Sequence, residues 1–180
     1  MTLRATFGSK KGLLQYFLHL LRWRFYAVNY PNIPKETQRV VFICHGNICR
    51  SALAKAIADK LSLNADSYGL YTSKNKPANT RMQTVAARYG YSLDQHQTQT
   101  IDSFKLLEGD LILVMDLKQY HAIKSLYGKQ ARVSLLGLWA SSPRAYLHDP
   151  YSCGEAYFDT CGRLIEDAVI NLNHAVKQKH

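Results

Sequence analysis

The stretch Val40-Val41-Phe42-Ile43-Cys44-His45-Gly46-Asn47-Ile48-Cys49-Arg50-Ser51 runs from four consecutive apolar residues into a short loop holding two cysteines, a glycine and an arginine. The apolar run, two of its members valines, predicts a strand buried on both faces. Beyond the loop, Ser51-Ala52-Leu53-Ala54-Lys55-Ala56-Ile57-Ala58 is dense in strong helix formers. Strand, tight loop and helix N-terminus together make an anion cradle. Loop N–H groups can turn inward as a nest, with the positive end of the helix dipole behind them. Cys44 stands at the rim, and Arg50 lies where it can fold back over a bound oxyanion.

Outward from this loop the chain alternates strand and helix. Strands are expected at 39–44, about 65–70, 110–115 and 132–136. Helices are expected at 51–62, 80–89 (stopped by Gly90), 118–127 (stopped by Gly128) and from about Cys153 onward. The last has an apolar face of Leu164, Ile165, Ala168, Val169, Leu172 and Val176. Such alternation predicts an α/β fold, a parallel sheet with helices on both faces. Ligands bind such sheets beyond the carboxyl ends of the strands, where the cysteine loop lies.

At 180 residues the chain has the length of one domain with a sizeable core. A hydrophobic share of 47% beside 20% charged residues is that of an ordinary globular protein. The net charge of +10 suits anionic partners, or a basic surface with no dedicated partner. Cysteines at 44, 49, 153 and 161 are too few for a disulfide scaffold of this size and point to a reducing, cytoplasmic setting. No apolar run approaches the roughly 20 residues of a spanning helix.

Residues 1–38 stand apart as a basic extension. Leu13 to Val28 predicts an amphipathic helix: Lys11, Gln15, His19, Arg22 and Tyr26 form one polar stripe, and Leu13, Leu14, Phe17, Leu20, Leu21 and Phe25 fill much of the remainder. Three roles stay open for residues 10–28: packing on its own domain or a partner protein, lying on an anionic membrane, or serving as a signal peptide. The signal peptide fits least, because Arg22 and Arg24 interrupt the apolar centre and no A-x-A site follows. Pro31 and Pro34 then break the helix and make a linker.

The loop's residue types fit phosphoryl transfer, which needs an in-line nucleophile, charge stabilisation on the equatorial oxygens and a proton for the leaving oxygen. Cys44 is the nucleophile candidate, since a helix N-terminus beside an arginine favours the reactive thiolate. Arg50 offers a planar fork for two phosphate oxygens, which a lysine would not reproduce. Gly46 permits the backbone twist, Asn47 tolerates left-handed geometry, and Ser51 can hydrogen-bond the sulfur. The general-acid candidate is Asp149 in Tyr146-Leu147-His148-Asp149-Pro150-Tyr151, a loop after the fourth strand on the same sheet edge. Taken alone, Asp149-Pro150 would be a turn.

These residues resemble the low-molecular-weight protein tyrosine phosphatases over roughly 39–177. The likeness rests on Cys44-His45-Gly46-Asn47-Ile48-Cys49-Arg50-Ser51, joined in order by Met115-Asp116 and Asp149-Pro150-Tyr151. The resemblance implies a four-stranded parallel sheet in a three-layer, flavodoxin-like sandwich of the phosphotyrosine protein phosphatase I type. It implies phosphotyrosine hydrolysis through a phosphocysteine, with no metal, no cofactor and no nucleic-acid partner. In that pattern Cys44 attacks, residues 44 to 50 bind the phosphoryl group, Arg50 clamps it and Asp149 protonates the leaving phenol. Asn47, Ser51, His96 and Asp116 would support the loop, and Tyr151 would line the pocket. Cys49 matches a cysteine that in the family can form a protective disulfide with the nucleophile, here Cys44; read from the residues alone it is equally a small buried cysteine. Cys153 and Cys161 match nothing in the family pattern and read as packing residues. Ala52, Tyr68 and Ser152 depart from the family pattern, Ser152 making the pocket wall less aromatic.

Rivals of the same fold are an arsenate reductase and an arginine-phosphate phosphatase. The first needs relay cysteines that 116–127 lacks, and the second usually has threonine where this loop has Ile48. A non-catalytic phosphate-binding adaptor would be expected to lose Cys44, Arg50 or Asp149, all of which are kept.

Overall fold

The computed structural model describes residues 2–25 and 37–178. In chain order the elements are α1 (Leu3–Phe7), α2 (Lys10–Phe25), β1 (Arg39–Cys44), α3 (Arg50–Lys60), β2 (Ala65–Gly69), α4 (Thr80–Arg88), β3 (Asp110–Val114), α5 (Leu117–Tyr127), β4 (Arg132–Leu135) and α6 (Glu155–Lys177). The strands form one sheet in the order β2-β1-β3-β4, every pair parallel. The expected elements are present, with ends shifted by a residue or two. α3 stops at Lys60 rather than 62 because Ser62 turns the chain at φ 56°.

Side-chain alternation along β1 divides the core into two layers. Val40 and Phe42 pack with Leu53 and Ile57 of α3, Met82 and Val85 of α4, and Phe158, Ile165 and Leu172 of α6. Val41 and Ile43 pack on the other face with Leu117 and Ile123 of α5, together with Tyr68 and Phe104. Strands covered on both faces must be apolar throughout, which is why β1 and β3 read as unbroken hydrophobic runs. Burying each large aliphatic side chain contributes about 1.5–3 kcal/mol, so the sheet is a rigid platform for the loops at its carboxyl edge.

The N-terminal segment is two helices rather than one, broken at Gly8 (φ 76°). Its docking inverts the simple expectation for an amphipathic helix. Gly12 and His19 face inward and are buried, whereas Leu14, Phe17, Leu20 and Leu21 are exposed. His19 is satisfied there: Nδ1 bonds to Gln15 O at 2.8 Å and the ring lies 4.5 Å from that of Tyr146. The end of the expected helix at Val28 and the Pro31–Pro34 linker lie outside the described residues.

Candidate active site

β1 ends at Cys44, and α3 begins at Arg50 with Cys49 as its N-cap residue; that cap makes no side-chain hydrogen bond. The first-turn N–H groups are thus left uncapped at the mouth of the loop, the arrangement that suits an anion. Asn47 holds the loop's shape. Its backbone sits at φ 53°, a region in which asparagine is one of the few tolerated side chains. Its Nδ2 donates to Ser51 Oγ (2.9 Å) and Ser67 Oγ (3.0 Å), and its Oδ1 accepts from Gln99 N (2.8 Å). His96 Nε2 meets Asn47 O at 2.7 Å, and burial pushes this imidazole below its ordinary value, keeping it neutral. Cys44 Sγ lies 3.0 Å from Ser51 Oγ and accepts from Asn47 N at 3.3 Å.

Ser67, Gln99 and Gly69 escaped sequence reasoning. Gly69 pairs with Cys44 across the sheet, and a Cβ there would come within 3.0 Å of Gly46 C and 3.1 Å of Asn47 Cβ. Only the missing side chain lets β2 approach the loop so closely.

Arg50 is buried beneath the loop. Its Nη1 donates to Leu147 O at 3.0 Å and its Nη2 pairs with Asp149 Oδ2 at 2.7 Å. Burial works against its charge, but Asp149 and then Cys44 more than offset this and hold the guanidinium above its ordinary value. Its Nε is a buried donor with no partner among the described residues. Asp149 sits in the loop between β4 and α6. That loop is pinned to the residue following β3 by Leu147 N donating to Met115 O (2.9 Å), and to α4 by Arg81 donating to Tyr151 O (2.6 Å) and Cys153 O (2.7 Å).

Cys44, His45, Gly46, Ile48, Cys49, Arg50, Asp149, Tyr151 and Ser152 line one open cleft of about 410 Å³. Tyr71, Thr72 and Lys76 complete it and were not foreseen, because the 70–76 segment reads only as a polar loop. Tyr151 and Tyr71 are both well exposed, the latter stacked 4.9 Å from His45, so the cleft has aromatic walls and a cationic side chain at its edge. Asn47, Ser51 and His96 stand behind the loop rather than in the cleft. Asp116 is apart from it: its carboxylate caps α5 by accepting from Gln119 N at 2.9 Å. Cys49, Cys153 and Cys161 are buried free thiols, and burial raises the pKa of each, Cys161 to about 12.

A cysteine, an arginine fork, uncapped helix N–H groups and a carboxylate around one cleft have the layout of a phosphoryl-transfer site. A family model described as low molecular weight phosphotyrosine protein phosphatase matches residues 39–180. The chain belongs to that family. A low molecular weight protein-tyrosine-phosphatase of Streptomyces coelicolor is 29% identical over 158 residues, spanning 79% of this chain and 96% of the relative. The solved tyrosine phosphatase AmsI of Erwinia amylovora is 26% identical with a TM-score of 0.67, covering 77% of this chain and 93% of its own. The YwlE arginine phosphatase of Geobacillus stearothermophilus shares the fold (TM-score 0.68, 18% identity, 78% and 94% coverage). In this low molecular weight phosphatase, α1 and α2 precede the matched region.

Proposed function

We propose that this enzyme hydrolyses phosphotyrosine in protein substrates through a phosphocysteine at Cys44. The observation that carries it is the single cleft that Cys44, Arg50 and Asp149 line together with Tyr71 and Tyr151. A phosphoryl dianion takes the Arg50 fork and the loop N–H groups, displacing Asp149 from its ion pair; the freed carboxylate takes up a proton from solvent and stands beside the departing oxygen. Cys44 Sγ attacks phosphorus in line, the P–O bond to the phenol breaks, and Asp149 supplies the phenol's proton. Asp149, now a carboxylate, takes a proton from water as that water attacks phosphorus. Inorganic phosphate leaves and Cys44 is regenerated. Ser51 and Asn47 N–H hydrogen-bond the sulfur, and Ile48 with the two tyrosines favours a flat aryl group over a guanidinium. Should peroxide oxidise Cys44 to the sulfenic acid, condensation with the Cys49 thiol would release water and store the nucleophile as a disulfide. A reduced nucleophile and four free thiols suit the cytoplasm.

The test compares phosphotyrosine and phosphoarginine peptides with wild type, Cys44→Ser and Asp149→Ala under reducing conditions. Turnover of phosphotyrosine alone, none for Cys44→Ser, and a loss of about 10²–10⁴ for Asp149→Ala are expected. Turnover of phosphoarginine instead would overturn the aryl specificity, and an inert wild type would overturn the activity.

The N-terminal segment supports a second proposal, docking on an anionic membrane surface. Leu14, Phe17 and Leu21 form one exposed apolar row on α2. Arg4, Lys10, Lys11, Arg22, Arg24 and Lys35 precede the first acidic residue, Glu36. An apolar row with basic flanks matches an interfacial helix, while among the described residues no helix is long and apolar enough to cross a bilayer. The full chain should sediment with phosphatidylserine vesicles and not with phosphatidylcholine alone, and Leu14→Asp/Phe17→Asp should stay in the supernatant. Equal pelleting of that variant would sink the idea.

A further inference from the structure

The residue next to the general-acid candidate is held by the segment that lies outside the family match. His148 is wedged between two hydroxyls, Tyr146 Oη at 2.7 Å from Nδ1 and Ser9 Oγ at 3.2 Å from Nε2. Ser9 is itself fixed by Gly12 N, which donates to its Oγ at 2.9 Å. Glycines make the close approach feasible. A Cβ at Gly8 would lie 2.7 Å from the His148 ring and 2.8 Å from Cys153 Sγ; one at Gly12 would collide with Phe7 O and reach the His148 ring at 3.0 Å. Around this contact His19 lies against Tyr146, and Arg144 stacks over both Phe7 and Tyr16. The inner face of α1 and α2 therefore packs on both ends of the segment 144–153, which carries Asp149.

Burial and then the Arg50 charge lower the His148 pKa, so the ring is neutral and has one donor and one acceptor nitrogen to offer its two hydroxyl partners. Opposite this packing, Asp149 makes its 2.7 Å ion pair with Arg50 while its side chain remains 42% exposed. One side of the loop is thus open to the cleft. Its other side is closed by the N-terminal segment, because Ser9 in the turn before α2, with Gly12 and His19 of α2, seats His148 and Tyr146. Backbone ties through Arg81 and Met115 fix the loop's flanks, but no hydrogen bond to the His148 side chain comes from elsewhere among the described residues.

We infer that α1 and α2 are a working part of the catalytic apparatus, with Ser9 and His148 as positioning residues that hold the acid loop so that Asp149 can protonate the leaving group. The inference rests on Asp149 acting as that acid. Loosening the loop around His148 weakens proton donation while leaving the hydrogen bonds of Cys44 and Asn47 in place, because these come from Ser51, Ser67, His96 and Gln99 and none from α1 or α2.

The distinguishing property is dependence on the leaving group. A phenol of high pKa needs the acid, whereas dinitrophenolate departs without it. The experiment measures kcat/KM, which covers the steps up to departure of the leaving group, for phenyl phosphate and for 2,4-dinitrophenyl phosphate with the full chain, Ser9→Ala and Gly12→Val, each also in the Asp149→Ala background. Amide exchange of residues 144–153 is followed in parallel. The expected result is a loss of about tenfold on phenyl phosphate, a fraction of what an acid contributes, with less than about twofold on the dinitrophenyl ester. The loss should vanish in Asp149→Ala, and exchange should speed up in both variants. Equal losses on the two esters, or losses that add to that of Asp149→Ala, would overturn the inference. Unchanged exchange would overturn it as well. If wild type turned over neither ester, the phosphatase proposal would fall, and the exchange measurement would still decide whether the helices hold the loop. Ser9→Ala removes one hydroxyl from a half-exposed turn, so it tests the contact even if Gly12→Val does not fold.

Discussion

Asn47 donates to Ser51 and Ser67, accepts from Gln99 N and occupies φ 53°, all without lining the cleft. Alanine in its place would leave the Gln99 N–H without its acceptor, at about 1–3 kcal/mol, and would meet a left-handed backbone that costs roughly 1–2 kcal/mol more. Asn47→Ala is therefore expected to lower Tm by about 5 °C or more, at roughly 2–4 °C per kcal/mol for a chain of this size. kcat should fall with it, because the loop N–H groups lose their aim. Unchanged Tm and kcat in scanning calorimetry and steady-state assays would show that the loop holds its shape without this residue. At this scale the sequence was informative where chemistry clusters locally. Cys44, Asn47, Arg50 and Ser51 sit within one turn of chain. Ser67, Gln99, Tyr71 and Lys76 come to the loop from other segments, and a hydrogen bond delivered by topology leaves no periodic trace.

Strands and helices were legible because burial on both faces demands continuous apolar runs, as in Val40–Ile43 and Leu111–Val114. Helix ends were less so: the α3 boundary moved with the left-handed turn at Ser62. α2 shows the limit most plainly. Its period separates an apolar from a polar side but does not say which side meets the protein. Docking is decided by shape, since Gly12 admits the His148 ring and His19 fits against Tyr146, leaving the leucines outside. The loop carrying Asp149 has no secondary-structure signal at all. It was found through chemistry alone, as a carboxylate after the fourth strand.

Across the whole molecule, two half-buried imidazoles tie stability to pH. Burial holds His96 and His148 below the ordinary histidine value of about 6.5. As pH falls through that value the unfolded chain binds protons before the folded one, so stability is full above it and declines toward the lower folded values. Tm should be level above about pH 7.5 and fall between about pH 6.5 and 5, with a shallower fall in His96→Gln and in His148→Gln; an unchanged slope in both would refute the assignment. The sheet, the loop at its edge and the N-terminal helices behind the acid all converge on one atom, Cys44 Sγ. The most direct test is acid quenching of the enzyme during turnover of a phosphotyrosine peptide, followed by mass spectrometry of its proteolytic fragments. The fragment containing Cys44 should carry one phosphoryl group in the wild type and none in Cys44→Ala. Turnover with no phosphoryl group on that fragment, or one that persists in Cys44→Ala, would contradict a phosphocysteine route.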